Sequence, residues 1–350
     1  MAGSEDRNRM TTRTEIAGGL HRMTREERVR AAFYRGADLT LDNPLYLRAV
    51  RTLIDELLRE DTESADLTVE AMEIDACPCT VEIRAKEAGV VAGVAEAAWI
   101  YERSRQRVTP IITDGSDVAA GDVILRITGD ARSLLTLERT VVNLMQRMSG
   151  IATATKQLVR AARQASSTAH VVGTRKTAWG LLDKRAIHCG GGGTHRLNLG
   201  DAILVKTNHL RLASNEVSDA TPTRAGATLD ATLRRAWERR KSAAFFEVEV
   251  TRVEEALSVA RVLGELQTSS EACPCILMLD NFSAKDAGRA VQSLRDAGLY
   301  DAVLVEASGN VSEESVAAYA AAGVDAISIG ALTHSVHALD LSAKIIPEAR

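Results

Sequence analysis

The second half of the chain contains six short runs of apolar, largely β-branched residues, separated by helical patterns. The runs cover residues 170–173, 202–206, 245–250, 276–280, 302–306 and 326–330, and helical periodicity is strongest over 252–266, 284–297 and 312–322. Strands that alternate with helices predict a parallel sheet, and runs that are apolar on both faces predict one covered on both sides. We therefore predict an α/β fold with a closed or nearly closed α/β barrel.

The first half of the chain has a different sequence pattern. Residues 1–42 are charged and irregular and predict a flexible or loosely docked extension. A helical pattern begins near Pro44 and is followed by β-like runs at 80–84, 89–94, 108–113 and 123–128. Two helices then follow, over about 134–148 and 151–165, with Ser149-Gly150 predicted to end the first. The expected domains are 43–150 and 151–335, with a tail, 336–350, that packs back on the first.

Charge and hydropathy exclude several classes of protein. A net charge of −4 and a pI near 6.0 give no basic field for nucleic acid. No apolar run reaches the roughly 18 residues of a membrane span, and the N-terminus lacks the apolar core of a secretory signal. We expect no nucleic acid or membrane partner and a cytoplasmic location.

Five cysteines occur, four of them in two Ala-Cys-Pro-Cys motifs at 76–79 and 272–275. The odd count argues against a disulfide scaffold, and the Cys-x-Cys spacing is unlike that of zinc sites. Each motif directly precedes an apolar run, so small buried thiols are expected.

Polar residues follow nearly every predicted strand of the barrel. Since the sites of α/β barrels lie at the carboxyl ends of their strands, this pattern predicts a catalytic site. The first two strand ends are cationic, with Arg175, Lys176, His195, Arg196, Lys206 and His209. Clustered cations repel one another unless an anion lies between them, so the expected ligand is polyanionic. The glycine run 190–193 lies among these cations and is a candidate anion-binding nest.

The later strand ends offer different chemistry. Glu249 and Asp280 follow neighbouring runs, and two carboxylates facing a phosphate-rich ligand predict a Mg²⁺ site. Small residues end the last two runs, a pattern typical of phosphate binding at late barrel strands: Ser308, Gly309, Asn310, Gly330 and Ala331.

These residues resemble the motifs of the quinolinate phosphoribosyltransferase family over roughly residues 44–341. The matching motifs include Glu138-Arg139-Thr140, Thr174-Arg175-Lys176-Thr177, Cys189-Gly190-Gly191-Gly192, His195-Arg196, Glu247-Val248-Glu249-Val250, Leu279-Asp280-Asn281, Ser308-Gly309-Asn310 and Gly330-Ala331-Leu332-Thr333-His334. The resemblance implies an N-terminal α/β sandwich domain and a C-terminal incomplete α/β barrel. It also implies a homodimer, or an oligomer built from dimers, whose active site is completed by the partner chain.

The resemblance further implies the substrates and the roles of residues. Phosphoribosyl pyrophosphate and quinolinate would react with Mg²⁺ as cofactor, giving nicotinate mononucleotide, CO₂ and pyrophosphate in NAD biosynthesis. Arg139 would reach across the dimer, and Arg175, His195, Arg196 and Lys206 would hold the quinolinate carboxylates, with Lys176 at the same anionic site. Glu249 and Asp280 would face the ribose and the metal. The residues expected to bind the 5-phosphate are Ser308, Gly309, Asn310, Gly330 and Ala331.

The chain departs from the family pattern after Thr177. The loop is about two residues shorter than usual and carries Trp179 where a proline is expected, and Thr207 replaces the usual acidic residue after Lys206. The first change leaves open a related enzyme that acts on another aromatic or heteroaromatic acid. The second predicts that Lys206 loses a charged neighbour. Two other classes remain: a barrel lyase or aldolase that uses Lys206 as a Schiff base, and a binding protein without catalysis.

Overall fold

A computed structural model describes residues 23–63, 66–213, 225–240, 242–267 and 273–346. The described residues fall into two compact units. The barrel unit contains the described part of Met1–Arg35, with Arg160–Thr174 and His195–Ile329. The sandwich unit contains Gly36–Val159, Arg175–Thr194 and the described part of Gly330–Arg350. Residues 151–159, Arg175–Thr194 and 330–335 of the predicted barrel domain fall in the sandwich unit, and the described part of the predicted tail lies there too.

The described residues form twelve strands and twelve α-helices. The strands are β1 (Pro78–Ala85), β2 (Gly89–Val90), β3 (Arg107–Pro110), β4 (Asp117–Val118), β5 (Val123–Asp130), β6 (His170–Val172), β7 (Ile203–Val205), β8 (Phe246–Val250), β9 (Cys275–Asp280), β10 (Leu304–Ser308), β11 (Ala326–Ser328) and β12 (Leu341–Ile346). The helices are α1 (Arg25–Phe33), α2 (Pro44–Asp61), α3 (Leu67–Ala71), α4 (Val94–Arg103), α5 (Ala131–Ala165), α6 (Leu181–Cys189), α7 (Thr207–Ala213), α8 (Ala225–Glu238), α9 (Val253–Leu266), α10 (Ala284–Asp296), α11 (Glu313–Ala321) and α12 (Ala331–His334).

The barrel unit is built on a six-stranded sheet. Its order is β6-β11-β10-β9-β8-β7, and every neighbouring pair is parallel. All six strands predicted from the sequence are present. Helices such as α9, α10 and α11 connect successive strands, as a parallel sheet requires. The predicted α/β class and the incomplete barrel are confirmed.

Helix α1 corrects the expectation of a flexible extension over residues 1–42. Thr24 caps the helix in a reciprocal capping box with Glu27. Val29 and Phe33 are no more than 1 % exposed and belong to a buried cluster that includes Ile276 and Leu304 of the sheet. Two apolar side chains one helical turn apart give α1 a buried face, which the high charge of the segment conceals in the sequence. Residues 1–22 of the predicted extension lie outside the described residues.

The sandwich unit contains an antiparallel sheet in the order β12-β1-β5-β3. Strand β1 pairs with β5 on one side and with β12 on the other, from Thr80 opposite Ile346 to Ala85 opposite Leu341. Part of the C-terminal tail is thus a strand of the sheet formed by the N-terminal half of the chain.

Helix α5 corrects the prediction of two helices separated at Ser149-Gly150. The helix runs without interruption from Ala131 to Ala165. The Ser149 hydroxyl accepts a hydrogen bond from the backbone N–H of Ala92, and a Cβ on Gly150 would lie 2.1 Å from the carbonyl oxygen of His337. These small residues allow two chain segments to approach the helix closely, so they mark a packing contact and not a helix end.

None of the helices in the described part of the chain is long and apolar enough to cross a membrane.

Candidate active site

One face of the parallel sheet gathers polar side chains at the carboxyl ends of its strands. Glu249 on β8 lies opposite Met278 on β9, and Asp280 on β9 lies opposite Ser308 on β10. Since residues two apart on a strand share a face, Glu249, Asp280 and Ser308 all project from the same side. The strand order therefore brings together groups that are up to 59 residues apart in the sequence.

Lys206 follows β7 and is paired with the neighbouring strand. Its Nζ lies 3.3 Å from Glu249 Oε2, and the lysine side chain is 48 % exposed. Thr207 donates to Glu249 Oε1 through both its backbone N–H and its hydroxyl. The prediction that Lys206 loses a charged neighbour was therefore wrong: Glu249 supplies the charge from the next strand, and Thr207 anchors that carboxylate.

The turns after β9 and β10 are tied together. Asn281 donates its backbone N–H to Ser308 O and its side-chain amide to Asp280 Oδ2. Asn281, Gly309 and Asn310 all have positive φ, and a Cβ on Gly309 would lie 2.2 Å from Asn281 Oδ1. Glycine is therefore required at 309, where the chain passes directly beside the Asn281 side chain. This close fit holds Asp280 and Ser308 at adjacent strand ends.

A buried cluster of His195, Glu247 and Glu306 lies in the same unit. His195 Nε2 is 3.2 Å from Glu306 Oε2 and 3.4 Å from Glu247 Oε2, and both glutamates are fully buried. Burial and the neighbouring Glu306 raise the pKa of Glu247 to about 7. Burial lowers the pKa of His195, but attraction to Glu306 and Glu247 outweighs this and raises it to about 9. The cluster therefore retains protons at neutral pH.

This cluster was not predicted from the sequence as a unit. Its three ligand atoms lie within 4.8 Å of one another, so its geometry could accept a metal ion. Among the described residues, Glu249 and Asp280 belong to no such group of three. The alternation of Glu247 and Glu249 on one strand was the available signal, since it places both carboxylates on one face of β8.

The glycine run 190–193 ends a helix instead of forming the predicted anion-binding nest. Gly190 follows α6, and the N–H groups of Gly190, Gly191 and Gly192 donate to the carbonyls of Ala186, His188 and Ile187. Gly191 has φ +84°, as expected of the left-handed residue in a helix C-cap. These three amides are already hydrogen-bonded, and a Cβ on Gly190 would lie 2.4 Å from Ala152 O. The run thus serves helix termination and close packing.

The predicted anion-binding residues of the sandwich unit are also close to one another. Arg175 and Lys176 are exposed, and the hydroxyl of Thr333 donates to Lys176 O. A Cβ on Gly330 would lie 3.1 Å from Lys176 Cδ, so the lysine side chain passes directly over this glycine at the start of α12. The structure therefore places Lys176 beside Gly330 and Thr333.

The short loop around Trp179 is organised by a buried carboxylate. Arg147 on α5 forms two parallel hydrogen bonds with Asp183, each 2.9 Å long. Asp183 Oδ2 also accepts from the Trp179 N–H and from the Thr177 hydroxyl. The Arg147 guanidinium lies 5.0 Å from the centre of the Trp179 ring and donates to Thr333 O as well. Arg147 and Asp183 were missed from the sequence because their partners are distant along the chain.

Arg139 and the cysteines complete the set of predicted residues. The Arg139 side chain on α5 is 65 % exposed and lies 3.8 Å from Glu138. All five cysteines are free, and Cys79 and Cys275 are buried. Burial raises the pKa of Cys273 to about 11 and that of Cys275 well above its ordinary value. The thiols of Cys273 and Cys275 are therefore poorly reactive. Cys77 is exposed, so the prediction of buried thiols was wrong for this residue.

Acidic, basic and small residues at the carboxyl ends of a parallel α/β sheet define an enzyme of the α/β-barrel class. Comparison with known proteins gives the family. Residues 66–149 match the N-terminal domain of quinolinate phosphoribosyl transferases, and residues 151–344 match the C-terminal domain. The chain belongs to the quinolinate phosphoribosyltransferase family.

Individual relatives agree over most of the chain. It is 36 % identical to the carboxylating nicotinate-nucleotide pyrophosphorylase of Mycobacterium leprae, over 84 % of this chain and 96 % of the relative. It is 38 % identical to a mitochondrial decarboxylating quinolinate phosphoribosyltransferase of Nicotiana glauca, over 75 % of this chain and 72 % of the relative. The solved structure of the nicotinate-nucleotide pyrophosphorylase from Francisella tularensis superposes with a TM-score of 0.70 at 32 % identity, covering 85 % of this chain and 96 % of that one.

Proposed function

We propose that this protein transfers the phosphoribosyl group of phosphoribosyl pyrophosphate to quinolinate, releasing pyrophosphate and CO₂ and forming nicotinate mononucleotide for NAD biosynthesis. Family membership and the names of the relatives support this activity. The observation that carries the proposal for this chain is the common face of Glu249, Asp280 and Ser308, with Lys206 paired to Glu249. These strand ends supply charges of both signs at one place, as is needed to bind a charged sugar and an organic acid side by side.

We propose carboxylate binding for the cations of each unit. In the barrel unit, Arg196 offers a planar fork for a carboxylate and Lys206 a point charge. In the sandwich unit, Arg175 and Lys176 are exposed cations on a loop held by Asp183. For phosphate, the turn at Ser308, Gly309 and Asn310 offers small residues and backbone amides. The closeness of Lys176 to Gly330 supports a phosphate role for Lys176 too.

Glu249 and Asp280 fit Mg²⁺ by the chemistry of their donors. Mg²⁺ prefers hard oxygen ligands and is commonly held by one or two carboxylates together with substrate phosphates. The two carboxylates stand on neighbouring strands and on one face of the sheet. When bound there, Mg²⁺ would neutralise negative charge on the pyrophosphate.

The protein's own residues would then contribute positioning and electrostatics. The C1–O bond to pyrophosphate breaks, and the pyridine nitrogen of quinolinate forms the new bond to C1. The bond to the 2-carboxyl group then breaks with loss of CO₂, and a proton replaces it on the ring. Cations near the acid would stabilise the negative charge that develops at the ring carbon.

The direct test is a panel assay of pyrophosphate release. Purified protein is supplied with phosphoribosyl pyrophosphate, Mg²⁺ and, in turn, quinolinate, nicotinate and other aromatic acids. Turnover with quinolinate is expected, with release of CO₂ in an amount equimolar with the pyrophosphate. Turnover with a different acid alone would overturn quinolinate as the substrate and leave a related phosphoribosyltransferase, the alternative that the short loop at Trp179 keeps open. Omission of Mg²⁺ with EDTA should abolish turnover, and full activity without it would overturn the metal proposal.

We further propose a homodimer in which Arg139 acts on the partner's site. Its 65 % exposed side chain supports this, since it is available to another chain. Arg139→Ala and Lys206→Ala should each be inactive alone, and mixed dimers of the two should regain part of the activity because one of their two sites is intact. Mixed dimers that form but stay inactive would contradict the shared site.

The environment of Lys206 argues against the Schiff-base alternative. A Schiff-base lysine is typically desolvated, whereas this side chain is half exposed and ion-paired with Glu249. Failure of borohydride to trap a carbonyl substrate on the protein would agree with this. The cytoplasmic location stays a prediction.

A further inference from the structure

The buried cluster of His195, Glu247 and Glu306 has unused hydrogen-bonding capacity. Among the residues that the structure describes, no group makes a well-formed hydrogen bond with either carboxylate oxygen of Glu247 or with Glu306 Oε1, although both glutamates are fully buried. Uncompensated carboxylates in a protein interior are costly and are retained only when they perform a task. His195 Nε2 lies 3.4 Å from Glu247 Oε2 and 3.2 Å from Glu306 Oε2.

The other ring nitrogen of His195 decides what the cluster can do. The backbone N–H of Arg196 donates to His195 Nδ1 at 2.8 Å, so Nδ1 carries a lone pair. Since Nδ1 accepts this hydrogen bond, the ring carries its proton on Nε2, and the further proton that the cluster retains at neutral pH lies on one of the two glutamates. A metal would need the lone pair of Nε2, and the usual metal-binding histidine donates its second N–H instead of accepting one. The geometry therefore favours an Nε2–H that is hydrogen-bonded to Glu306 and lies close to Glu247 over a metal ligand.

The same hydrogen bonds hold an unusual backbone conformation. His195 has φ +55°, a left-handed value that costs a residue other than glycine about 1 kcal/mol or more. The ring is packed against Phe33 and Phe245, with centroid distances of 5.3 and 5.2 Å. The turn is thus held by the ring, and the ring is held by the glutamates from β8 and β10. Arg196, the next residue, is buried and follows directly on this turn.

We propose that Glu247 and Glu306 are positioning residues for substrate binding: they hold the Nε2–H of His195, and through this ring they fix the turn that directs Arg196 toward a carboxylate of the aromatic acid. This proposal rests on the proposed function and changes the role expected of His195. Instead of holding a quinolinate carboxylate itself, His195 acts through Arg196, because both of its ring nitrogens are engaged within the barrel unit.

The test combines affinity with a double-mutant cycle. Glu247→Gln and Glu306→Gln should each weaken quinolinate binding, measured by calorimetry, by about tenfold, while the KM for phosphoribosyl pyrophosphate stays within about twofold. His195→Ala should weaken quinolinate binding at least as much. In the His195→Ala background neither glutamine substitution should weaken it further, because the glutamates act only through the ring. Losses that simply multiply would overturn the proposal.

A second measurement is independent of substrate and turnover. Nitrogen NMR of the histidine-labelled wild-type protein should show His195 with a protonated Nε2 and an unprotonated Nδ1. An unprotonated Nε2, or one equivalent of metal that survives dialysis against EDTA, would overturn the proposal in favour of a metal centre. If the wild-type protein bound no quinolinate, the choice of acid would fail, while this readout would still decide the arrangement of the cluster.

Asp325→Asn is the matched control. Asp325 is a buried carboxylate directly before β11, and it accepts from the Arg25 guanidinium and from the Val305 N–H. Its substitution should lower stability and leave quinolinate affinity unchanged. An equal loss of affinity in this variant would show that any buried carboxylate of the sheet matters, and would overturn a specific role for the cluster.

Discussion

The ammonium group of Lys206 lies 3.3 Å from the carboxylate of Glu249, at the ends of the adjacent strands β7 and β8. Because Thr207 donates twice to the same carboxylate, the acid is held in place independently of the lysine. The lysine is therefore the partner that can turn toward a substrate anion.

Lys206→Ala should reduce kcat/KM for the aromatic acid by about 100-fold or more, since one cation is lost from a preorganised site. Its unfolding free energy should change by less than about 1 kcal/mol, because half-exposed ion pairs contribute little to stability. Steady-state kinetics and chemical denaturation measure the two effects. Lys156→Ala removes a lysine of similar exposure that is paired with Asp117. Equal losses of activity in both variants would contradict a specific role for Lys206.

Arg147→Ala should disrupt the loop that carries Arg175 and Lys176. The substitution leaves the fully buried Asp183 without its bidentate partner, and we expect a loss of roughly 1–3 kcal/mol in unfolding free energy. We also expect a raised KM for the acid, because Asp183 would no longer hold Thr177 and Trp179 in one arrangement. Arg235→Ala, on the exposed surface of α8, should change stability by less than about 0.5 kcal/mol. A normal KM in Arg147→Ala would separate the loop from acid binding.

The parallel sheet and the residues at its strand ends could be predicted from the sequence. Each strand is a short local run, and the carboxyl ends of parallel strands necessarily meet at one edge. The sequence did not predict features that depend on a contact with a residue far away along the chain. Ser149-Gly150 has the composition of a helix stop, and only the approach of His337 shows why a glycine stands within a continuous helix.

The cluster beneath His195 was missed for a related reason. Glu306 is the last residue of a predicted strand that is otherwise mostly apolar. The pairing of this strand with β9 and the burial of Glu247 become evident only in the fold. Conversely, the glycine run at 190–193 was overinterpreted. A helix C-cap and an anion nest require the same residue type, and the hydrogen-bond partners of the amides distinguish them.

Gly150→Ala separates helix propensity from packing. Propensity alone predicts a gain of up to about 1 kcal/mol for alanine in a helix interior. The added methyl group would lie 2.1 Å from a backbone carbonyl, so we expect a net loss of roughly 1–3 kcal/mol in unfolding free energy.

Gly288→Ala in α10 is the control for this comparison, since the nearest atom to its added Cβ would be 3.7 Å away. It should be neutral or stabilising in the same denaturation experiment. A stabilising effect of Gly150→Ala would show that the His337 segment moves away easily.

The contact of α1 with β6 predicts a pH-dependent contribution to stability. Glu26 Oε2 lies 2.7 Å from His170 Nε2, and His170 Nδ1 is hydrogen-bonded to the Tyr34 hydroxyl. Partial burial opposes ionisation of Glu26, but the bonds to His170 and Arg30 outweigh it and lower its pKa. A carboxyl group with a lowered pKa in the folded state stabilises the fold above its unfolded pKa of about 4.5, and this contribution is lost as the pH falls through the lower folded value.

Glu26→Gln should therefore reduce the unfolding free energy at pH 7, by less than about 1 kcal/mol because the side chain is 45 % exposed. The difference from the wild type should shrink steadily as the pH falls below about 4.5, where the wild-type carboxyl group becomes protonated as well. Urea denaturation at a series of pH values between 3 and 7 measures this directly. Glu238→Gln, at an exposed position in α8, should stay within about 0.5 kcal/mol of the wild type at each pH. A Glu26→Gln difference that grows toward acid pH would mean that the carboxylate destabilises the docking of α1, against the sign expected from its hydrogen bonds.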